Sequence, residues 1–307
     1  MNSHQNEPIV RDERLVLGTV QLGMPYGIAN KTGQPNHTTA TEIIRKAWES
    51  GIREFDTGQG YGDSETVLGQ AFAVLGIAQK VLVISKFDPQ LNHLDAKALS
   101  TAIDQSLQRL GILSLYGIML HREQFLLDWD QGLGNILRNC VQTSRVQHIG
   151  ISVYSPEKAI QALNTKGIDF VQLPTNILDR RFEKAKVFEL ARKKQKRIYI
   201  RSVFLQGLPL IELKELPEKM SFAKPTLERF HQLCKKLKLH PQELAMGYIK
   251  MAFPECQVIF GVECIVQLQH NLQCWLKNDY PKEMISSVKQ TFQNVDEQIV
   301  NPSLWPQ

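Results

Sequence analysis

Four side chains that together could move a proton lie at, or just beyond, the ends of apolar segments with the character of β-strands. They are, in chain order, Asp56, Tyr61, Lys86 and His121. A tyrosine with its ordinary pKa of about 10 is a poor acid catalyst near neutral pH, and a neighbouring cation lowers that pKa because it favours the phenolate. We therefore expect Lys86 to lower the pKa of Tyr61, and Asp56 to hold and neutralise Lys86. His121 would orient a carbonyl oxygen beside the phenol, and the set suits carbonyl reduction, in which hydride reaches carbon and a proton must reach oxygen.

The chain around these residues alternates short β-branched segments with longer amphipathic ones. Strands are predicted over residues 15–19, 53–56, 81–86, 115–120, 146–152, 170–173, 197–202 and 257–260. Helices are predicted over residues 41–50, 64–75, 96–110, 133–143, 156–164, 182–193, 224–237, 241–251, 265–275 and 282–298. Apolar strands that alternate with helices indicate a parallel sheet covered on both faces. Eight such units in about 250 residues favour a closed (β/α)8 barrel in a single domain.

This layout predicts where the four reactive side chains lie. In a (β/α)8 barrel, the C-terminal ends of the strands face the active site. Asp56 follows the second strand, Lys86 ends the third and His121 follows the fourth, while Tyr61 lies in the loop after the second. The four groups would then meet at one mouth of the barrel. The alternative is that each is an ordinary surface residue.

The composition is that of a globular protein, with 43% hydrophobic and 22% charged residues in a chain of 307. No apolar segment approaches the ~20 residues of a membrane span, and the polar N-terminus lacks the apolar core of a signal peptide. The five cysteines are widely spaced and form no Cys-x-x-Cys motif, so neither disulfides nor a metal site are expected. We expect a cytoplasmic monomer or weak homo-oligomer that has no membrane partner.

The predicted domain organisation is a flexible arm at residues 1–13, the barrel at 14–300 and a C-terminal tail at 301–307. Trp305, in that tail, could close over the barrel mouth or belong to a frayed end. A basic run at 192–197 could be read as a nucleic-acid patch, but no aromatic residues interleave with it to stack on bases. The run also suits a last helical turn, where cations complement the helix dipole. We therefore expect no nucleic-acid partner.

The sequence around Asp56 and Tyr61 resembles that of a known family. Residues 55–62 read Phe-Asp-Thr-Gly-Gln-Gly-Tyr-Gly, and residues 63–69 continue as Asp-Ser-Glu-Thr-Val-Leu-Gly. Together with Lys86 and His121, this pattern resembles the aldo-keto reductases, and the resemblance extends over about residues 15–271. It implies a (β/α)8 barrel, a nicotinamide cofactor bound without a Rossmann domain, and the same four catalytic residues, with Tyr61 as the proton donor.

The cofactor site is expected at the same end of the barrel. No Gly-x-Gly-x-x-Gly motif joins a strand to a helix, so phosphates should instead meet backbone amides at a helix N-terminus late in the barrel. Residues 258–271 resemble the reductase segment for the adenosine phosphate end. The expected cofactor contacts are Gly18, Thr19, Ser152, Gln172, Arg201, Ser202, Gln206, Gly261, Glu263, Gln267 and Asn271.

Four of these contacts have more specific expectations. The resemblance implies that Ser152 and Gln172 bind the nicotinamide carboxamide. Arg201 lies where the family commonly has an aromatic residue, and its planar guanidinium could stack on the cofactor ring, contact substrate, or form a salt bridge at the barrel rim. Glu263 stands where a basic residue is frequent; a carboxylate there would repel a 2′-phosphate, although the side chain could also point to solvent. Both NADP(H) and NAD(H) therefore remain open as the cofactor.

Substrate-binding residues are expected in the loops that follow the strands. The candidates are Tyr26, Phe87, Arg122 and Trp129, which could line an apolar pocket with a few polar anchors. The aromatic residues could equally pack beneath the loops.

The sequence thus predicts an NAD(P)H-dependent oxidoreductase that reduces an aldehyde or ketone to an alcohol, or catalyses the reverse reaction, on a small-molecule carbonyl substrate. A second hypothesis is a redox-sensing partner subunit that binds the cofactor and turns over little. A third is a barrel hydrolase or isomerase, which would bind no nicotinamide at all.

Overall fold

A computed structural model describes residues 12–306, and in this part of the chain parallel strands form a closed barrel in the order β1 to β8. The strands are β1 Leu15–Gly18, β2 Glu54–Asp56, β3 Leu82–Lys86, β4 Leu115–Leu120, β5 Val146–Ser152, β6 Phe170–Pro174, β7 Arg197–Arg201 and β8 Gln257–Gly261. β1 pairs with both β2 and β8, which closes the barrel. The predicted (β/α)8 fold is therefore confirmed, and each predicted strand differs from the observed one by at most one residue at an end.

Helices connect the strands and cover the outside of the barrel. They are α1 Val20–Gly23, α2 His37–Glu49, α3 Ser64–Leu75, α4 Ala96–Leu110, α5 Gly134–Gln142, α6 Pro156–Asn164, α7 Arg181–Lys184, α8 Val187–Lys194, α9 Lys224–Leu237, α10 Pro241–Ala252, α11 Ile265–Leu276, α12 Met284–Thr291 and α13 Glu297–Val300. In the described residues, no helix combines the length and the apolar character that crossing a bilayer would require.

The helix prediction was wrong in three places. α2 begins four residues earlier than expected, because the Asn36 side chain accepts a hydrogen bond from the Thr39 amide and caps the helix. The segment predicted as one helix over 182–193 is divided into α7 and α8 by Lys186, whose φ of 57° is left-handed. The segment predicted over 282–298 is likewise two helices, α12 and α13.

The barrel interior below the C-terminal mouth is filled by large side chains. Phe170 of β6 occupies space left by Gly150 of β5 and Gly117 of β4: a Cβ at Gly150 would lie 2.2 Å from the Phe170 ring. Next to Phe170, the Tyr199 hydroxyl donates a 2.6 Å hydrogen bond to the Glu54 carboxylate. The barrel interior around Phe170 and Tyr199 is therefore packed.

The two ends of the chain differ from expectation where the structure describes them. Residues 1–11 of the predicted arm lie outside the described residues, but Asp12 accepts a 3.0 Å hydrogen bond from the Trp275 indole. Trp305 is buried in the core, where its indole donates to the Gln298 carbonyl at 3.0 Å. Trp305 therefore neither covers the barrel mouth nor belongs to a frayed end, because its ring is packed in the core.

Candidate active site

Asp56 and Lys86 form a buried ion pair at the C-terminal ends of β2 and β3. The Lys86 ammonium donates to both Asp56 carboxylate oxygens at 2.7 Å, and to the Thr57 carbonyl at 2.9 Å. Both residues are nearly inaccessible to solvent. Such a pair is held rigidly, because leaving either charge unpaired in this environment would be costly.

Tyr61 and His121 complete the cluster above this ion pair. The Lys86 nitrogen lies 4.7 Å from the centroid of the Tyr61 ring, and the His121 ring meets Tyr61 edge-on at a centroid distance of 5.8 Å. The structure therefore brings together the four residues that the sequence singled out, and they are not scattered surface residues.

Close backbone packing holds the loop that carries Tyr61. A Cβ at Gly23 would lie 2.0 Å from the Tyr61 carbonyl oxygen, and a Cβ at Gly62 would lie 2.2 Å from the Gly23 carbonyl oxygen. Gly62 also has a left-handed φ of 58°. The Gly-Tyr-Gly sequence thus allows the loop to lie directly on α1, which positions the phenol at the mouth.

The pKa of Tyr61 is shifted in the direction opposite to the one expected from a neighbouring Lys86. Burial raises the pKa of Tyr61 above its ordinary value, and the negative charge of Asp56 raises it further. Burial is the largest cause, because it disfavours the charged phenolate. Tyr61 is consequently a protonated phenol at neutral pH.

His121 is an uncharged imidazole in this environment. Burial lowers its pKa to about 4, and the positive charges of Lys86 and Arg201 act in the same direction. Its Nδ1 atom is buried and has no hydrogen-bond partner within residues 12–306. A neutral imidazole can donate or accept a hydrogen bond to a ligand without adding a charge to the site.

A cavity of about 330 Å³ opens beside Tyr61 and His121. It is lined by all of the predicted cofactor contacts, namely Gly18, Thr19, Ser152, Gln172, Arg201, Ser202, Gln206, Gly261, Glu263, Gln267 and Asn271. The sequence prediction thus selected the residues of one continuous pocket, although they come from distant parts of the chain.

Several buried polar atoms of this pocket have no partner in the described residues. They are Gln21 Oε1, His121 Nδ1, Gln172 Oε1, Arg201 Nη2 and Asn271 Oδ1. A buried polar group left unsatisfied costs about 1–3 kcal/mol, so native proteins rarely retain several in one place without a ligand. A nicotinamide dinucleotide, with amide, hydroxyl and phosphate groups along its length, fits a lining of this kind.

Ser152, the last residue of β5, lies beside Gln172, in the middle of β6. The Gln172 amide nitrogen donates a 2.8 Å hydrogen bond to Asp56, which leaves its carbonyl oxygen free at the pocket. A carboxamide could therefore donate to Gln172 and exchange a hydrogen bond with the Ser152 hydroxyl. This arrangement fits the nicotinamide end of the cofactor.

The other end of the pocket is formed where β8 leads into α11. Gly261 permits close contact with Gln21, since a Cβ there would lie 2.2 Å from the Gln21 side-chain oxygen. Glu263 and Gln267 pair with each other: the Glu263 amide donates to the Gln267 side chain at 2.8 Å, and Gln267 donates to the Glu263 carboxylate at 3.3 Å. Glu263 is partly buried and lines the pocket, so its side chain does not lie wholly in solvent.

Left-handed backbone shapes the wall after β7. Ser202, Leu205 and Gln206 have φ values of 61°, 44° and 56°. Such conformations are strained for residues with a side chain and are concentrated at functional sites. The wall is held because Gly207 packs against Ala29, where a Cβ would approach the Ala29 methyl to 2.4 Å.

Only one of the four residues predicted to bind substrate lies at the pocket. Tyr26 lines the pocket, but Phe87, Arg122 and Trp129 do not. Phe87 directly follows Lys86 and points to the opposite face, into the core, since neighbouring side chains of an extended strand alternate. Trp129 is buried beneath a loop, where its indole donates to the Lys166 carbonyl at 3.2 Å. Arg122 is exposed outside the pocket.

The pocket lining includes residues that the sequence prediction did not name, and Gln21 and Tyr154 are the two with polar side chains nearest the strand ends. Gln21 lies three residues after β1, in α1, and Tyr154 lies two residues after β5, at the end of the barrel that carries the other functional residues. Their position shortly after a strand end was the signal by which the sequence could have identified them. Tyr154 was missed because the side chain two residues after a strand can turn toward or away from the mouth.

The match to a family model decides the classification. The model of the aldo/keto reductase family matches residues 14–292. The chain belongs to the aldo/keto reductase family. Aldo-keto reductase AKR11C1 from Bacillus halodurans, in its holo form, has a similar fold, with a TM-score of 0.74 and 20% identity over 91% of each chain.

Two curated proteins match parts of this aldo/keto reductase chain. Protein REDOX 2 of Catharanthus roseus is 28% identical over 164 residues, which are 47% of this chain and 50% of that protein. A Schizosaccharomyces pombe protein, provisionally named a voltage-gated potassium channel subunit beta, is 36% identical over 118 residues, which are 35% of this chain and 34% of that protein. The matches thus span half or less of the length of these relatives.

Proposed function

We propose that the protein is an NAD(P)H-dependent oxidoreductase that reduces an aldehyde or ketone to an alcohol, or catalyses the reverse reaction. The observation that carries this proposal is the position of Tyr61 and His121, above the Asp56–Lys86 pair, at a pocket lined by unpartnered buried polar atoms. Family membership supports the same chemistry.

Each of the four residues has a distinct role in this proposal. Tyr61, protonated at neutral pH, donates the proton to the carbonyl oxygen. His121, uncharged, holds that oxygen by a hydrogen bond. Lys86, fixed by Asp56, places a positive charge near the phenol as negative charge develops during proton transfer. The nicotinamide, when bound, supplies the hydride.

Glu263 bears on which nicotinamide dinucleotide is used. We propose that NAD(H) is preferred, because the partly buried carboxylate would repel a 2′-phosphate and could accept a hydrogen bond from a ribose 2′-hydroxyl. Gln267 orients this carboxylate through the hydrogen bond described above. The free thiols of all five cysteines, four of them buried, support a reducing compartment such as the cytosol.

A redox-sensing partner subunit is the second candidate function. It is favoured by the 36% identity, over 118 residues, to the protein named a potassium channel subunit beta. A sensor would retain the cofactor tightly and turn over slowly, whereas an enzyme would release the oxidised cofactor and cycle.

Titration of the purified protein with NADH and NADPH, followed by the fluorescence of the reduced nicotinamide, tests the cofactor claim. We expect saturable binding of at least one, with NADH bound more tightly. A folded protein that binds neither would contradict the proposal and favour hydrolase or isomerase chemistry. Turnover of added aldehydes by the bound complex then separates the enzyme from the sensor.

A further inference from the structure

Arg201 places a charge in the pocket that no carboxylate within residues 12–306 pairs. Its Nη1 donates to the Ser202 hydroxyl at 3.2 Å, and its guanidinium lies over the Tyr154 ring, 4.3 Å from the centroid. Its Nη2 is buried and has no hydrogen-bond partner in the described residues. One side of the Arg201 guanidinium is therefore fixed, whereas the other side lacks a hydrogen-bond partner. The salt bridge at the barrel rim, which was one expectation for Arg201, is not formed in the described residues.

The acidic side chains that line the pocket are already engaged. The Asp56 carboxylate is paired with Lys86 and accepts a hydrogen bond from Gln172. The Glu263 carboxylate accepts from Gln267. The residual charge at the catalytic end of the pocket is therefore positive, and it resides on Arg201.

Arg201 belongs to the reacting end of the pocket. Its charge influences the pKa of Tyr26, Tyr61 and His121, which surround the space where a carbonyl would lie. The pKa of Glu263, at the adenosine end, is instead shaped by burial and by Gln267. An anion that satisfies Arg201 would therefore lie beside the reacting carbonyl, near the rings of Tyr26 and Tyr154.

We propose that the substrate of this enzyme carries an anionic group, a carboxylate in the simplest case, that binds the free side of the Arg201 guanidinium. This inference rests on the proposed function, because it assumes carbonyl reduction at Tyr61. A planar guanidinium matches a carboxylate with two parallel hydrogen bonds. Stacking on Tyr154 holds the guanidinium in one plane before the substrate arrives, so little conformational entropy is lost on binding.

The test uses two aldehydes of nearly equal shape, 4-carboxybenzaldehyde and 4-nitrobenzaldehyde, with the wild-type holoenzyme and Arg201→Met. The measured quantity is the ratio of kcat/KM for the charged aldehyde to that for the neutral one. We expect Arg201→Met to lower this ratio roughly 10- to 100-fold, mainly through KM, as for other lost hydrogen bonds to charged groups. Arg201→Lys keeps the positive charge but loses the two parallel hydrogen-bond donors of the guanidinium. Its kcat/KM ratio should therefore lie between those of Arg201→Met and wild type.

Arg192→Met is the matched control, because it makes the same chemical change on the exposed surface of α8 and should leave the ratio unaltered. An unchanged ratio in Arg201→Met would overturn the inference. An equal loss for both aldehydes, together with a weaker cofactor Kd, would also overturn it and assign Arg201 to a cofactor phosphate or the nicotinamide ring.

A binding measurement keeps this test separate from turnover. Calorimetry of the cofactor-saturated protein should show that wild type binds benzoate more tightly than benzamide, and that Arg201→Met loses the difference. If benzoate and benzamide bind alike in wild type, the anion site is contradicted. If benzoate is preferred but neither aldehyde reacts, the anion site stands and the proposed reductase function fails.

Discussion

Gln172 and Lys86 share one oxygen of Asp56. The Gln172 amide donates to Asp56 Oδ1 at 2.8 Å, and the Lys86 ammonium donates to the same atom at 2.7 Å. Asp56 therefore joins the side chain expected to hold the nicotinamide carboxamide to the ion pair beneath the proton donor. In the proposed mechanism, the orientation of the cofactor and the position of the proton donor would therefore depend on the same buried carboxylate.

We predict that Asp56→Asn destabilises the protein by about 3–5 kcal/mol, because it leaves the Lys86 charge buried without a counter-ion. Urea unfolding at pH 7 measures this change. The double variant Asp56→Asn with Lys86→Met should recover much of the lost stability, since it removes the unpaired charge, but it should not recover turnover. A single variant as stable as wild type would show that the pair is not held as described.

His121 should make the protein less stable in mild acid. Burial lowers its folded pKa to about 4, while the unfolded value is about 6.5, so the unfolded chain binds more protons between these values. The contribution of His121 to the free energy of unfolding is complete above pH 6.5 and is lost as the pH falls toward 4. Between pH 7 and pH 5, the free energy of unfolding of wild type should fall by about 2 kcal/mol more than that of His121→Asn. Parallel pH profiles of the two proteins would contradict the buried, neutral imidazole.

Glu54 should have the opposite effect on the pH dependence of stability: it should make the protein less stable as the pH rises. Burial in the lower barrel raises its pKa to about 7, although the hydrogen bond from Tyr199 opposes the shift. The folded protein then holds a proton that the unfolded chain releases from about pH 4.5 upward, so stability falls as pH rises from there to about 7.

Glu54→Gln, which keeps a hydrogen-bond acceptor for Tyr199, should remove this pH dependence. When the pH is raised from 5 to 8, the free energy of unfolding of the variant, taken relative to that of wild type, should increase by about 2 kcal/mol. Urea unfolding at both pH values gives the difference. An equal effect of the substitution at the two pH values would mean that Glu54 is ionised throughout.

Glu263→Gln tests the proposed preference for NAD(H). The substitution removes a negative charge from the pocket but keeps the length and hydrogen-bonding capacity that pair with Gln267. We expect the ratio of the Kd for NADPH to that for NADH to fall by roughly 5- to 10-fold, as for the loss of one screened charge repulsion. The measurement is fluorescence titration at fixed ionic strength. If the ratio does not change, Glu263 does not face the ribose.

The barrel and the four reactive residues could be predicted from sequence for a common physical reason. A strand buried on both faces needs a continuous apolar segment, so its end is visible in the sequence, and Lys86 and His121 mark two such ends. The direction of the next side chain is less visible. Phe87 and Trp129 were predicted to line the pocket, but both are buried in the core. The direction of each side chain depends on tertiary packing.

Interactions between distant segments also could not be inferred. The stacking of Arg201 on Tyr154 joins β7 to the loop after β5, and no local pattern encodes it. The raised pKa of Tyr61 is a second example, since it depends on burial and on the nearby negative charge of Asp56. The sequence suggests which groups are present, whereas their charges depend on the packing around them.

The most direct test of the central claim is Tyr61→Phe, with turnover of 4-nitrobenzaldehyde and cofactor Kd measured on the same preparation. The substitution removes only the phenolic hydroxyl and leaves the ring that packs against Lys86 and His121. Because a positioned general acid contributes roughly 100- to 10,000-fold, we expect a loss of at least about 100-fold in kcat with cofactor Kd within about threefold of wild type. Wild-type turnover by the variant, or cofactor binding lost in proportion to turnover, would contradict the role of Tyr61 as proton donor.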